Sequence, residues 1–424
     1  MAMIRPETEM KDSGVQWIGD IPSDWNIKPL YACLDEINQK NNPVVTTNIL
    51  SLTNTDGVIP YSERGNQGNK SKENFEEYKV VYPNTIVANS MNILIGSVGL
   101  SKYEGCVSPV YYVYMAKPQV DIRYMNYLFQ MEPFQKRLRQ FANGILEIRL
   151  RVSSHDILHQ KVAVPDYDEQ QTIADYLDET CSKIDEIIAE AKASIGEYKE
   201  LKQSVIFEAV TKGLDKNVEI KECSVNWLDE IPSTWESIRL KYLLTEINNR
   251  SETGTEQPLS VSQVMGVVPS YMISVANPTA SYVGQKIVEP NDIVFNKLKA
   301  HLGVFFMSKY HGLVSPDYAV YRTNDKVIPK YLEYLFHTSA CISEFKKYIS
   351  GVAEGLMRLY TSDLFNIRIC LPKVDEQIEI VKYLDKRITE IDSLIAEKES
   401  LIKDLEAYKK SLIYEVVTGK RRVV

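Results

Sequence analysis

No apolar run in this chain approaches the ~20 residues needed to cross a bilayer. Residues Met1 to Met10 also lack the apolar core of a signal peptide, so the sequence reads as cytoplasmic. The six cysteines, Cys33, Cys106, Cys181, Cys223, Cys341 and Cys370, are widely scattered. None stands in the close pairs of zinc or redox motifs, and all read as reduced and structural. Histidine is scarce as well: His155 and His159 have helical spacing but lack the intervening Glu of a zinc hydrolase motif. Gly68 to Ser71 lacks the upstream glycines of a phosphate loop. No glycine-rich turn or Pro-Pro-aromatic motif of a base methyltransferase is present, and the Pro-Asp pairs at Pro165 and Pro316 lack the acid-x-Lys of a nuclease. With neither nucleophile, metal cluster nor cofactor loop, the chain reads as non-catalytic by itself, and metal ligands are read as none.

What the chain does have, it has twice. A long helix is expected from about Gln170 to Lys212 and again from about Gln377 to Thr418. The first places Ile173, Leu177, Ile184, Ile187, Ala191, Tyr198, Leu201 and Val205 on an alternating four-three register. The second repeats it 207 residues later with Ile380, Leu384, Ile391, Leu394, Leu401, Leu405, Tyr408 and Leu412. A seam recurring every 3.5 residues is what two helices need to wind around each other. A helix of this length spans on the order of 60 Å.

The rest repeats too. Val15 to Leu30 (VQWIGDIPSDWNIKPL) matches Val225 to Leu240 (VNWLDEIPSTWESIRL), and Val80 to Asn89 (VVYPNTIVAN) matches Ile287 to Asn296 (IVEPNDIVFN). Gly105 to Tyr114 matches Gly312 to Tyr321, with the aromatic and β-branched content of strands. Arg123 to Phe141 and Lys330 to Tyr348 read as amphipathic helices, each followed by a glycine and a polar, basic turn. Pro165 and Pro372 then break the chain before the long helices, where Asp168 and Asp375 are placed to cap the helix start. The resulting fold class is α+β, with two tandem mixed α/β domains and an antiparallel coiled coil of approximate two-fold symmetry. The segments are 1–166, 167–214, 215–373 and 374–424.

At 424 residues with a net charge of −8, the chain is too long for one core. The acidic excess is local: residues 167–215 hold 5 basic against 12 acidic side chains, whereas residues 11–166 hold 16 of each. The two blocks outside the helices are therefore near neutral, which leaves room for a basic face on each.

These motifs in order, namely Trp-(x)3-Ile-Pro-Ser-x-Trp, Pro-Asn-x-Ile-Val and Asp-Glu-Gln leading into a four-three helix ending Glu-x-Val-Thr, resemble the specificity subunit of type I restriction-modification systems. The resemblance covers about Gly14 to Val424. It implies that each block is a target recognition domain reading half of a bipartite site in double-stranded DNA. It implies that the helices are spacers docking two modification (methyltransferase) subunits, joined by restriction (translocase and nuclease) subunits. S-adenosylmethionine, ATP and Mg are then expected in those partners, with no cofactor in this chain. The assembled complex is expected to be an adenine-specific DNA methyltransferase and a site-specific deoxyribonuclease.

Phosphate contact calls for Lys and Arg, and base edges for Asn, Gln, Arg and Ser. In the first block the candidates are Arg64, Asn66, Lys70, Lys72, Asn89, Asn92, Arg149 and Arg151. In the second they are Gln263, Tyr271, Asn296, Lys297, Lys299, His301, Arg358 and Tyr360. Asn89 and Asn296, after matching strands, and Arg151 and Arg358, in the basic turns, stand out. A second reading remains open at this level: a coiled-coil scaffold that joins proteins and never touches DNA. A third is an enzyme with an unrecognised site.

Overall fold

The computed structural model describes residues 3–53, 57–64, 74–143, 150–225, 227–273, 281–350 and 358–423. The chain divides into two compact units, Met1–Lys192 with Ser400–Val424, and Ala193–Glu399. Eight α-helices lie in the described residues: α1 (Ile122–Gln130), α2 (Glu132–Arg139), α3 (Ser154–Leu158), α4 (Tyr167–Lys212), α5 (Pro329–Phe336), α6 (Ser339–Lys347), α7 (Thr361–Leu364) and α8 (Val374–Val417). Among them no helix is long and apolar enough to cross a membrane.

Each unit is built on a four-stranded antiparallel sheet. In the first unit the order is Val98–Leu100, Ile86–Asn89, Tyr111–Ala116, Leu34–Glu36. The second unit repeats it with Phe305–Met307, Ile293–Phe295, Ala319–Thr323 and Leu244–Glu246. A hairpin projects beside each sheet, Leu50–Thr53 with Gly57–Pro60 in the first and Leu259–Ser262 with Gly266–Pro269 in the second.

One amphipathic helix was expected after each sheet, and two short ones are found. Met131 is extended (φ −67°, ψ 127°) ahead of Pro133, which cannot continue the hydrogen-bonded ladder of α1, so α2 starts anew. In the second unit Thr338 makes the break by capping α6, its hydroxyl accepting from Cys341 N at 3.3 Å.

The repeated motifs at the block starts and helix starts meet in the core. Trp25 and Trp235 are fully buried, and their indole N–H groups donate to Glu169 (2.8 Å) and Glu376 (3.1 Å) in the first turns of α4 and α8. Gln170 and Gln377, also buried, accept from the backbone N–H of Asp121 (3.0 Å) and Ile328 (2.8 Å) and donate to the carbonyls of Pro165 and Pro372 (both 3.0 Å). The Asp-Glu-Gln motif is thus a latch between helix start and domain. Its aspartate is not the cap: α4 begins at Tyr167, Asp166 accepts from Glu169 N at 2.8 Å, and Asp168 lies inside the first turn. Asp375 likewise lies inside the first turn of α8.

The ends of the long helices are latched by a second matched pair. In the first unit the buried Tyr124 hydroxyl lies 2.9 Å from the carbonyl of Ala163 and 3.0 Å from that of Val417. In the second, Tyr331 donates to the carbonyl of Val210 at 2.9 Å. Within each unit the two helix segments run antiparallel. In the first, Arg5 ties Glu169 at the start of α4 to Lys420 beyond the end of α8, and Lys409 meets Asp185 further along both. In the second, Gly213 beyond α4 lies against Glu376 at the start of α8, and Lys202 meets Asp392.

The seam differs from the expected one by a step. Ile173, Leu177, Ile184, Ile380, Leu384 and Ile391 are buried as expected, and Tyr198 and Leu405 partly so. Ile187 (44% exposed), Leu201, Leu394 and Tyr408 instead face outward. The shielded positions on α4 are Leu177, Cys181, Ile184, Ile188, Ala191, Ile195, Tyr198, Lys202, Val205 and Ala209, an unbroken four-three series. Adding 207 to each gives the shielded series of α8, from Leu384 through Lys398 and Lys409 to Val416. Lysines occupy three seam positions, their stems lying along apolar surface with the charge at the edge. A purely apolar pattern search steps over them onto Leu201 and Tyr408.

Candidate nucleic-acid interface

In each unit three features converge at one end of the sheet: the projecting hairpin, the turn following the asparagine-terminated strand, and the foot of the loop before α3 or α7. In the first unit Gly99 comes so close to the hairpin that a Cβ there would lie 3.1 Å from the Gly57 Cα. The Asn143–Arg151 backbone bridge (2.8 and 2.9 Å) closes the loop, and Val152 N donates to Ser90 O at 3.1 Å, holding that foot against the turn. The second unit repeats this with the Ser350–Arg358 bridge (3.1 and 2.9 Å) and Leu359 N donating to Lys297 O at 3.1 Å.

The structure therefore brings together Arg64, Asn89, Asn92 and Arg151 in the first unit, and Gln263, Tyr271, Asn296, Lys297, Lys299, His301, Arg358 and Tyr360 in the second. Arg64 packs over the Tyr61 ring (4.5 Å) beside hairpin residue Ser51. Gln263 donates to Leu302 O at 3.3 Å, tying the second hairpin to the Lys297–Leu302 turn. Arg151 is exposed, and Arg358 is half-buried. Neither guanidinium makes a hydrogen bond or ion pair to another described residue. Tyr271 is 79% exposed and Tyr360 also faces solvent. Asn66, Lys70, Lys72 and Arg149 lie outside the described residues.

Asn89 and Asn296 have a structural task. Asn89 is buried, and its Oδ1 accepts from Met91 N (3.0 Å) and Asn92 N (3.4 Å). Asn296 accepts from Leu298 N (3.1 Å) and Lys299 N (3.2 Å). They cap the short turns that carry Asn92, and Lys297, Lys299 and His301, so their Oδ1 atoms position neighbours. Their recurrence is explained by the turn.

Two features went unnoticed in the sequence. The tip of the second hairpin exposes Val264 (92%) and Met265, with Met272 following. Such apolar groups beside basic ones suit contact with thymine methyls in a major groove, which is wide enough for a two-stranded ribbon. In the first unit Lys136, Arg137, His159 and Lys161 line a groove of about 710 Å³ with Trp17, Phe141 and the acidic Asp156, and Lys136 is ion-paired with Glu132. Interleaved aromatics and cations suit a phosphodiester backbone, and only the fold gathers these residues.

The paired lysines Lys79 and Lys286 look basic in sequence but serve the core. Each donates to a backbone carbonyl at 2.9 Å, Tyr111 O and Tyr318 O, near Glu36 and Glu246 respectively. Burial lowers the Lys286 pKa from its usual value, against the pull of Glu246. Among the described residues no group of three or more His, Cys, Asp or Glu is placed to hold a metal ion.

Residues 22–197 and 232–404 match the sequence profile of the type I restriction modification DNA specificity domain. The chain is 22% identical over 439 residues to the putative type I restriction enzyme MjaX specificity subunit of Methanocaldococcus jannaschii, covering 96% of each. It is 23% identical to the type I restriction enzyme MjaVIII specificity subunit of the same organism, covering 95% of this chain and 94% of that one. Among solved structures, it shares its fold with a chain from a study of complex assembly and conformational transition in the type I R-M system: TM-score 0.70, 15% identity, 94% of this chain and 99% of that one.

Proposed function

The chain belongs to the type I restriction modification DNA specificity family, and from that premise we propose that it is the DNA-reading specificity subunit of a type I restriction-modification complex. Each unit reads one half of a bipartite site in duplex DNA, and the length of the helices sets the unread gap. The observation that carries this reading is the duplication of one face: hairpin, capped turn and arginine at a loop foot occur in both units with the same backbone bonds. Their side chains differ. Unit one offers Arg64, Asn92 and Arg151, and unit two Gln263, Lys297, Lys299 and Arg358, as two unlike half-sites require.

The two modification subunits dock on the helices, where Ile187, Leu201, Leu394 and Tyr408 present apolar groups to solvent. Restriction subunits complete the complex. Methyl transfer from S-adenosylmethionine and ATP- and Mg-dependent translocation and cleavage take place in those partners, so this chain contributes address and not chemistry.

The test is a map of methylated adenines in a genome carrying this chain with its modification subunit. A single bipartite motif with a fixed gap is the expected result. Methylation at an uninterrupted motif, or none above a strain lacking this chain, would overturn the reading.

A further inference from the structure

The six cysteines have no pattern in sequence, yet two of them meet. The Cys223 and Cys370 sulfurs lie 2.9 Å apart, 147 residues distant along the chain, closer than unbonded sulfurs ordinarily approach. Both belong to the second unit. Cys223 is half-exposed and follows the strand Ile220–Glu222, and Cys370 is buried in Arg368–Leu371, the strand that leads into α8. The matching positions in the first unit are Ser13 and Ala163, so this is not a feature of the repeat.

We propose that Cys223 and Cys370 are an oxidation site, a thiol pair that closes to a disulfide under peroxide and reopens under a dithiol. Hydrogen peroxide oxidises the accessible Cys223 thiol to a sulfenic acid, releasing one water. The Cys370 sulfur then attacks the Cys223 sulfur, the S–O bond breaks, and hydroxide leaves with the Cys370 proton as a second water. In total two thiols and one peroxide give one disulfide and two waters. Burial raises the Cys370 pKa, while Lys221 and Arg368 pull it back. The thiolate is therefore scarce at neutral pH, and closure is slow unless the oxidant persists.

The bond ties the hairpin at the entrance of the second unit to the strand feeding α8. It constrains a long loop of the unfolded chain, so the oxidised form melts higher. The other four cysteines are buried and isolated from one another, and serve as internal controls.

The test treats the native full-length chain with hydrogen peroxide, blocks remaining thiols after denaturation, and maps peptides by mass spectrometry. The expected result is four blockable thiols, a Cys223–Cys370 linked peptide, a raised melting temperature, and restoration of all six thiols by dithiothreitol. Cys223→Ser and Cys223→Ala should each keep five reactive thiols and show no rise in melting temperature. Six reactive thiols after peroxide, or Cys223 carried to sulfinic acid with Cys370 still blockable, would overturn the proposal.

Discussion

Lys202 Nζ lies 2.7 and 2.8 Å from the two carboxylate oxygens of Asp392, and 207 residues on Lys409 does the same with Asp185. Lys202 and Lys409, two of the three lysines at shielded seam positions, are each answered by an aspartate on the facing helix and act on register more than on stability. Asp392→Asn should cost less than about 1 kcal/mol, because Asp392 is half exposed and the pair is screened. Lys202→Leu should stabilise the helix pair while relaxing its register. Urea titrations at low and high salt check the first, since the Asp392→Asn deficit should shrink as salt rises. A deficit of several kcal/mol would show that the pair is buried in solution.

Gly213 and Gly419 end the two long helices with φ +76° and +73°, the left-handed conformation that follows a helix C-terminus. Their surroundings differ. A Cβ at Gly419 would lie 2.4 Å from two ring atoms of Pro22 and 3.1 Å from Trp25, whereas at Gly213 the nearest atom is Glu376 Oε1 at 3.0 Å, a side-chain end that can shift at some cost to its bond from the Trp235 indole. Gly213→Ala should therefore cost the αL strain of about 1 kcal/mol and a small displacement of the Trp235–Glu376 hydrogen bond, and Gly419→Ala clearly more, because the rigid Pro22–Trp25 turn must move. Equal shifts in denaturation midpoint for the two variants would refute the packing argument.

Glu169 has a pKa raised above the usual carboxylate value, first by burial, with Trp25 and Arg5 opposing. A raised acid pKa means the folded state holds the proton longer than the unfolded chain, so stability from this group falls as pH rises from the unfolded pKa through the folded one. The penalty is fully present above that window. Glu169→Gln, which cannot titrate, should remove that slope. The gap in melting temperature between wild type and variant should move in the variant's favour as pH is raised from about 4 to 7. A gap that is constant, or that moves the other way, would mean that the Arg5 ion pair outweighs desolvation.

Much of this architecture was legible because duplication doubles every signal. Trp25 and Trp235, Gln170 and Gln377, and Tyr124 and Tyr331 recur at fixed offsets and tie matching elements in both units. What escaped the sequence has physical causes. At Lys202 and Lys409 the seam slid because hydrophobic periodicity cannot see a charged residue whose stem is buried, and at Ile187–Ile188 and Leu394–Ile395 two adjacent apolar residues leave the choice of face open. The turn-capping task of Asn89 and Asn296 was not foreseen, because a recurring asparagine fits a cap as well as a base contact. The Cys223–Cys370 contact and the Lys136–Lys161 groove join residues far apart in sequence, and Val264 lies in the hairpin region where the two blocks do not align.

Arg151 and Arg358 offer a test of which unit reads which half. Each stands at a loop foot with no described hydrogen-bond or ion-pair partner, so alanine removes the guanidinium without breaking a core interaction among the described residues. Arg358→Ala should weaken binding by about 1–3 kcal/mol if the contact is to a base, and should relax specificity in one half-site only. Arg151→Ala should do the same to the other half. Selection from random duplexes by each variant, bound to its modification subunit, reads this directly. Loss of preference in both halves from a single substitution would contradict independent readers, and unchanged selection by both would remove the arginines from the interface.

The gap should respond to helix length. Inserting seven residues at matched positions in α4 and α8 preserves the four-three seam, which an insertion of four would disturb. The added rise is about 10 Å, near three base pairs of B-DNA at 3.4 Å each. Over that length the duplex also rotates by about a third of its turn of roughly 10 base pairs, so one reader must be reached by twisting DNA or protein, and affinity should fall. The methylated motif of the insertion variant should therefore keep both half-sites, lengthen its gap, and be modified more slowly. Altered half-site letters at an unchanged gap would show that the helices tune the reading units and do not measure distance.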